Sequence, residues 1–390
     1  MNQHIDNSAV NTTNASHPID GRGRKKREIA QNPVPTSHGV GGFNDLGIAP
    51  DLLKAIERLG YTNPTPIQKE AIPAGIEGRD VVAIAQTGSG KTVAFGVPML
   101  QRLAKSKNGS GLILVPTREL AIQVDESLRA LSVTQRLRSV VLIGGAPMPP
   151  QLSALRAKPR VIIATPGRLM DHIERGTIDL SRIEIFVLDE ADRMLDMGFI
   201  PDIKKVIKLI PERRQTMLFS ATMPKEISAI AEKLMGSATR IEVDRSGVTP
   251  AEVSQELFFI KNGDRIRLLA LHLKECSGPA LVFTRTKRMA TKLAIKVNKM
   301  GFSATEIHSN RSLGQRRHAL EGFKQGKFQI LIATDIAARG IDVPGIELVV
   351  NYDMPANPED YVHRIGRTGR AGKTGHAISF VASDQRKSIR

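Results

Sequence analysis

From residue 80 onward the chain keeps returning to one pattern: an apolar run of strand length, a loop of small or polar residues, then a segment with helical spacing. The runs are Val81 to Ala85, Leu112 to Val115, Val140 to Ile143, Val161 to Ala164, Ile185 to Leu188 and Met217 to Phe219. Runs that short and that continuously apolar suit strands buried on both faces. Their alternation with helices argues for an α/β chain built on a parallel sheet covered on each side. Asp244 to Pro250, polar and containing both Gly and Pro, interrupts the pattern, which restarts with Ala280 to Phe283, Ile330 to Ala333, Leu348 to Val350 and Ala377 to Val381. Two α/β domains joined near residue 247 are expected. The halves also echo each other: Leu112-Ile-Leu-Val-Pro-Thr-Arg118 resembles Leu281-Val-Phe-Thr-Arg285, and Val161-Ile-Ile-Ala-Thr-Pro-Gly-Arg168 resembles Ile330-Leu-Ile-Ala-Thr-Asp335. In each echo the polar residues follow the carboxyl end of a strand, where open parallel sheets place their ligands.

A chain of 390 residues has room for two such domains and a tail. Residues 1 to 42 carry no Phe, Tyr or Trp and are rich in Asn, Ser, Thr, Pro and Gly, so they cannot bury enough apolar surface to offset ordering entropy. They are read as a disordered tail. Its basic cluster, Arg22-Gly-Arg-Lys-Lys-Arg27, is either a solvated run, an RNA contact or a nuclear address. Across the chain 56 Lys and Arg stand against 39 Asp and Glu, a net charge of +17 that calls for a polyanionic partner, nucleic acid ahead of an anionic membrane. No stretch has the length and apolarity of a membrane-spanning helix, and the N-terminus lacks the apolar centre of a secretion signal. A cytoplasmic protein is expected. The single cysteine, Cys276, excludes an internal disulfide and a cysteine-cluster zinc site.

The first apolar run leads into Ala85-Gln86-Thr87-Gly88-Ser89-Gly90-Lys91-Thr92. A strand running into such a loop gathers backbone N–H groups around phosphate oxygens; Lys91 adds a point charge and the Thr92 hydroxyl a ligand for Mg²⁺. Ala85 stands where the usual pattern has glycine. A second apolar run, Ile183 to Leu188, ends in Asp189-Glu190-Ala191-Asp192. A nucleotide hydrolase needs carboxylates there, Asp189 for the metal and Glu190 beside the attacking water. In the second half His363-Arg364-Ile365-Gly366-Arg367-Thr368-Gly369-Arg370 offers Arg367 and Arg370 as charges for a transferring phosphoryl group, and His363 as a link to bound water. Ser220-Ala221-Thr222 brings hydroxyls that can bond the Asp192 carboxylate. Upstream, the Pro-rich turn Gly60 to Gln68 can present carbonyls and the Gln68 amide to an adenine edge, with Phe43 as a stacking surface.

These motifs stand in one order that resembles the DEAD-box RNA helicases, over about residues 43 to 383. The resemblance rests on Gly60 to Gln68 with Phe43, Ala85 to Thr92, Pro116-Thr-Arg-Glu-Leu120, Gly144-Gly145 and Thr165-Pro-Gly-Arg168. It continues through Asp189 to Asp192, Ser220 to Thr222, Val282-Phe-Thr-Arg-Thr286, Ala333 to Asp342 and His363 to Arg370. The compact bacterial members are nearest in style. What the resemblance implies is two tandem RecA-like P-loop domains, 43–245 and 253–390, with a linker at 246–252. Each is a mostly parallel sheet with helices on both faces. It also implies RNA-stimulated hydrolysis of ATP with Mg²⁺, ATP selected by Gln68 and held by Gly88 to Thr92, a ribose contact at Asp342, and arginine fingers at Arg367 and Arg370. RNA would cross Pro116, Thr117, Arg118, Gly145, Thr165, Arg168, Thr284 and Thr334, with Arg316 as a further contact. Composition agrees with the manner of contact: without Trp, with three Tyr and 4% aromatics, the chain is poorly equipped to stack bases, so sugar and phosphate contacts dominate. A monomer is expected. The readings weighed against a helicase are an ATP-gated RNA clamp, with incidental strand separation, and a DNA translocase.

Two departures stand out. Where the family commonly has a Gln-x-x-Arg unit this chain reads Leu313-Gly-Gln-Arg316, so Leu313 takes the glutamine position while Arg316 remains. The chain also stops at Arg390, where family members often continue into a longer helix and tail.

Overall fold

The computed structural model describes residues 42–86, 88–132, 137–243, 253–260, 263–338, 343, 345–355, 358–369 and 374–382. The expected tail (but for Gly42), the linker at 246–252, Thr87, Asp342 and Arg370 lie outside the described residues. The first sheet comprises β1 (Val81–Ile84), β2 (Ser110–Leu114), β3 (Ser139–Leu142), β4 (Val161–Ala164), β5 (Ile183–Asp189), β6 (Gln215–Ser220) and β7 (Thr239–Glu242). Its order is β3-β4-β2-β5-β6-β1-β7, with every neighbouring pair parallel. Because side chains alternate along a strand, the continuous apolar runs feed two cores at once. Ala83, Ile113, Ile163, Val187 and Phe219 enter one, where the helices Lys91–Lys105 and Arg118–Leu131 add Val93, Phe95, Val124 and Leu128. Val82, Leu114, Ile162, Phe186 and Leu218 enter the other, covered by Leu169, Met194, Ile203 and Ile227 from the helices Pro166–Glu174, Ala191–Asp196, Ile200–Leu209 and Lys225–Leu234.

The second sheet repeats the design with β8 (Val253–Ile260), β9 (Ala280–Thr284), β10 (Ala304–Ile307), β11 (Ile330–Thr334), β12 (Leu348–Asn351) and β13 (Gly375–Ala382). The order is β10-β11-β9-β12-β13-β8, again parallel throughout. Helices Arg265–Glu275 and Lys287–Lys299 cover one face through Leu269, Leu273, Leu293 and Val297, while Leu313–Lys324 and Pro358–Ile365 cover the other through Leu320, Phe323 and Ile365. The expected strands are all present. The unforeseen ones are β7, β8 and β10, and each is the edge of its sheet, where one side of the strand meets solvent and polar residues are tolerated. Among the described residues no helix is long and apolar enough to cross a membrane.

Close packing fixes the helix that enters the site. Gly75 sits in the helix Pro66–Ile76 against Pro98 of the Lys91 helix, and a Cβ there would lie 2.7 Å from the Pro98 Cβ. Absence of that carbon lets the two helices touch. Behind them Phe95 and Phe219, both fully buried, meet with ring centroids 5.4 Å apart. Replacing Phe219 with Ala removes this contact from a core that cannot collapse around it; a loss of about 3–5 kcal/mol is expected in urea unfolding followed by circular dichroism. A loss below about 1 kcal/mol would mean that β6 is not clamped between the two cores.

Candidate functional site

After β1 the chain turns through Gly88 and Gly90 at φ of +88° and +89°, values that favour glycine, and enters the Lys91 helix. The N-cap, Gly90, brings no side chain to the helix start, so first-turn N–H groups are left for an external anion. Lys91 is 6% exposed, its Nζ donating to the Ala85 carbonyl at 3.1 Å, so the ammonium lies folded over the loop. Gln86 and Gly88 are exposed, whereas Ser89, Gly90 and Thr92 are half-buried, with the Ser89 hydroxyl donating to the Gln86 carbonyl at 2.8 Å. This is a cradle with a charge at its base.

The Pro-rich turn is joined to that cradle. The Thr65 hydroxyl donates to the Ser89 carbonyl at 2.8 Å, and Gln68 Nε2 donates to the Gly90 carbonyl at 3.1 Å while its Oε1 accepts the Thr65 N–H at 3.0 Å. Both ends of the Gln68 amide are therefore engaged within the chain, and the residue is 4% exposed. Phe43 is 6% exposed and packs into the first core. The turn thus braces the phosphate loop, because Gly90 leaves room for Gln68 to reach it.

Across the loop β5 ends at Asp189, which is 2% exposed. Burial pushes its carboxyl up to about 6, with Lys91 pulling it down and Glu190 adding to the rise. Glu190 holds φ at +54°, a conformation that costs a non-glycine residue on the order of 1–2 kcal/mol. Its carboxylate meets the Arg193 guanidinium at 2.8 Å, both side chains 3% exposed. The Asp192 carboxylate accepts four hydrogen bonds, one oxygen from the Ala221 N–H at 3.1 Å, the Thr222 N–H at 2.9 Å and the Thr222 hydroxyl at 3.1 Å, the other from the Arg193 N–H at 3.0 Å. Ser220 plays a different part from the one expected: its hydroxyl accepts the Asp192 N–H at 3.1 Å instead of donating to the carboxylate. A hard divalent cation suits the donors here. Asp189 is a buried carboxylate burdened by desolvation, and Thr92 adds a hydroxyl oxygen.

The other half of the same sheet edge, past β3, β4 and β2, carries a different set. Pro116 and Thr117 are buried, and the Thr117 hydroxyl accepts the Leu120 N–H at 3.3 Å, capping the Arg118 helix. Arg118 lies over Gly144 and Gly145; Gly145 has φ of +75°, and a Cβ on it would fall 2.1 Å from the Arg118 Nη1. Thr165 opens the Pro166–Glu174 helix, and Arg168 donates to the Ala146 carbonyl at 3.1 Å. These residues converge at one edge.

In the second lobe Thr334 ends β11 and is half-buried, but Thr284 is fully buried with its hydroxyl bonded to the Thr286 carbonyl at 3.3 Å. Arg316 is likewise not presented to a ligand: its Nη2 donates to Glu119 of the first lobe at 2.7 Å, the two side chains 8% and 5% exposed. Thr284 and Arg316 are both engaged within the chain, as Thr117 is. Arg367 is 4% exposed, His363 half-buried, and both line a small cavity with Phe283, Asp335 and Asp360. Sequence reasoning missed Arg364, 2% exposed, which binds Asp335 at 2.5 and 2.7 Å, Asn351 at 3.0 Å and the Asp353 carbonyl at 2.6 Å. It also missed the roles of Arg193 and Glu119, each of which stands beside another charged residue at its helix start, Asp192 and Arg118, and so carries no distinguishing signal.

A family profile described as DEAD/DEAH box helicase matches residues 65–230, and one described as helicase conserved C-terminal domain matches 264–372. The ATP-dependent RNA helicase CshA of Listeria monocytogenes is 45% identical over 343 residues, 87% of this chain and 66% of that protein. The DEAD-box ATP-dependent RNA helicase CshA of Geobacillus kaustophilus is 45% identical over 342 residues, covering 87% and 73%. Among solved structures, Saccharomyces cerevisiae Dbp5 bound to RNA and ADP BeF3 superposes with a TM-score of 0.78 at 34% identity, over 87% of this chain and 89% of that one. A DEAD box protein from Methanococcus jannaschii is 41% identical and reaches 0.52, over 90% and 95%. With two parallel sheets, the phosphate loop and this degree of identity along nearly the whole chain, the protein belongs to the DEAD-box family of ATP-dependent RNA helicases.

Proposed function

We propose that this protein hydrolyses ATP when its two lobes, 43–245 and 253–390 about a hinge at 246–252, close on an RNA strand, and that closure bends the strand enough to release a short duplex. The observation that carries the reading is the lobe contact. Arg316 reaches out of the second lobe to a buried carboxylate of the first, Glu119. The chain as a whole also matches the RNA- and nucleotide-bound Dbp5 better than the more identical M. jannaschii protein. A whole-chain superposition falls when two similar lobes are set differently, so this difference favours the lobe setting of the RNA- and nucleotide-bound protein.

The roles follow from placement. ATP phosphates lie against the N–H groups of Gly88 to Thr92 with Lys91 as counter-charge, and Thr92 and Asp189 hold Mg²⁺, which screens the phosphate charge when bound. Glu190, positioned by Arg193 and its own backbone, orients a water toward the terminal phosphorus. As the water oxygen bonds to phosphorus, the bond to the bridging oxygen breaks, ADP leaves, and the proton shed by the water ends on the released phosphate or in solvent. Arg367, with Arg370 beyond the described residues, stabilises charge on the transferring group, and His363 connects that arginine loop to water in the cleft. Asp192 with Ser220 and Thr222 ties the carboxylate turn to the end of β6. RNA crosses Pro116, Thr117, Arg118, Gly145, Thr165, Arg168 and Thr334 through sugar and phosphate, so binding tolerates sequence. One copy suffices, since one chain supplies both sides of the cleft, and we place it in the cytoplasm with its RNA.

Glu190→Gln should retain ATP binding, lower RNA-stimulated turnover by about 10²-fold or more and leave a long-lived complex with RNA, read by filter retention. Turnover within about twofold of the parent would remove Glu190 from the water. Arg367→Ala should depress turnover by about 10³-fold while nucleotide affinity, from fluorescent-nucleotide titration, stays within a few-fold. Equal losses in both would make Arg367 a binding group only.

A further inference from the structure

The helix Leu313–Lys324 opens with a residue that cannot serve RNA as a glutamine would. Leu313 is half-buried, and although it belongs to the second lobe it packs against the apolar core of the first. One turn along, Arg316 makes the buried contact with Glu119. Beyond it Arg317 feels the charge of Glu126, and a cleft between the helices is floored by Ile122, Leu313 and Leu320. Gln315, the nearby polar candidate, is occupied locally: its Oε1 accepts the Ser312 N–H at 3.0 Å while the Ser312 hydroxyl accepts the Gln315 N–H at 3.3 Å, a capping box for its own helix.

These contacts differ in what they contribute. A buried ion pair gives back in Coulomb attraction little more than it loses in desolvation. Here the pair is bonded through one nitrogen and one oxygen, and Arg316 Nε and Glu119 Oε1 have no hydrogen-bond partner among the described residues. Burial also loosens the proton on Arg316, Glu119 opposing that shift. The ion pair sets register between the helices; net attraction falls to the apolar contact. We infer that Leu313 is a positioning residue that holds the two lobes together in the absence of RNA. The inference rests on closure as the working motion proposed above, but lobe contact is measurable without turnover.

The test compares Leu313→Gln, Leu313→Ala and Leu313→Met with the parent, all as full chains. Small-angle X-ray scattering in ADP and beryllium fluoride, with and without single-stranded RNA, reads the compact fraction directly, and RNA-free and RNA-saturated ATP turnover are measured alongside. Without RNA the parent should populate a compact form. Leu313→Gln and Leu313→Ala should lower the compact-to-extended ratio and RNA-free turnover about tenfold, the change expected for removing roughly half a leucine from apolar contact. Saturating RNA should bring both variants back to the parent's compact fraction, and Leu313→Met should behave as the parent throughout. A parent as extended as Leu313→Gln without RNA, or a Met variant no better than Ala, would overturn the inference. If the compact fraction falls while RNA-free turnover does not, Leu313 still holds the lobes and the coupling of closure to hydrolysis is what fails.

Discussion

The interaction on which the arrangement depends is the buried meeting of Glu119 with Arg316, a carboxylate on the first helix past β2 and a guanidinium on the helix past β10. Neither lobe satisfies its own charge there. Truncating one partner of such a pair leaves an uncompensated charge out of water, a penalty of about 3–5 kcal/mol, whereas removing both is often close to neutral. The pair therefore acts as a register mark: it penalises wrong settings of the lobes more than it rewards the right one. Glu119 adjoins Arg118, which lies over Gly145, so the same short segment carries both the lobe contact and the candidate RNA edge. The proposed RNA contact and the lobe contact therefore fall on neighbouring residues.

Sheet order separates the two ligand sites proposed for the first lobe. The strands β3, β4 and β2 lie side by side and end at Gly145, Thr165 and Thr117, while β5, β6 and β1 lie beyond them and end at Asp189, Ser220 and the phosphate loop. A single carboxyl edge is thus divided into the half proposed for RNA and the half proposed for ATP. The turn from Glu190 to Asp192 is bound to the end of β6 through Ser220 and Thr222, and the cost of the positive φ at Glu190 is met by a rigid surround rather than by local preference.

Central strands were legible because their environment is simple. Val161 to Ala164 or Ile330 to Ala333 must be apolar on every residue to sit between two helical layers, and the sequence says so plainly. The edge strands β7 and β10 were not, because they read Thr-Arg-Ile-Glu and Ala-Thr-Glu-Ile, patterns that solvent on one side permits and that many loops share. The phosphate loop and the acidic turn were visible as motifs, since backbone N–H groups and carboxylates are demanded at fixed spacing. What could not be read was orientation. Gln68 looks the same in sequence whether it faces adenine or braces Gly90, Arg316 the same whether it meets phosphate or Glu119, and Arg364 gives no hint that it is the buried hub joining Asp335, Asn351 and Asp353.

The most direct measurement is a double-mutant cycle on the lobe contact, using Glu119→Gln, Arg316→Met and their combination, with RNA-stimulated ATP turnover as the readout. If the pair sets closure, each single change lowers turnover by about two orders of magnitude and the double variant is at least about tenfold faster than either, because it no longer buries a lone charge. Single variants within about twofold of the parent, or a double variant showing the summed losses of the two, would mean that the lobes close without this contact.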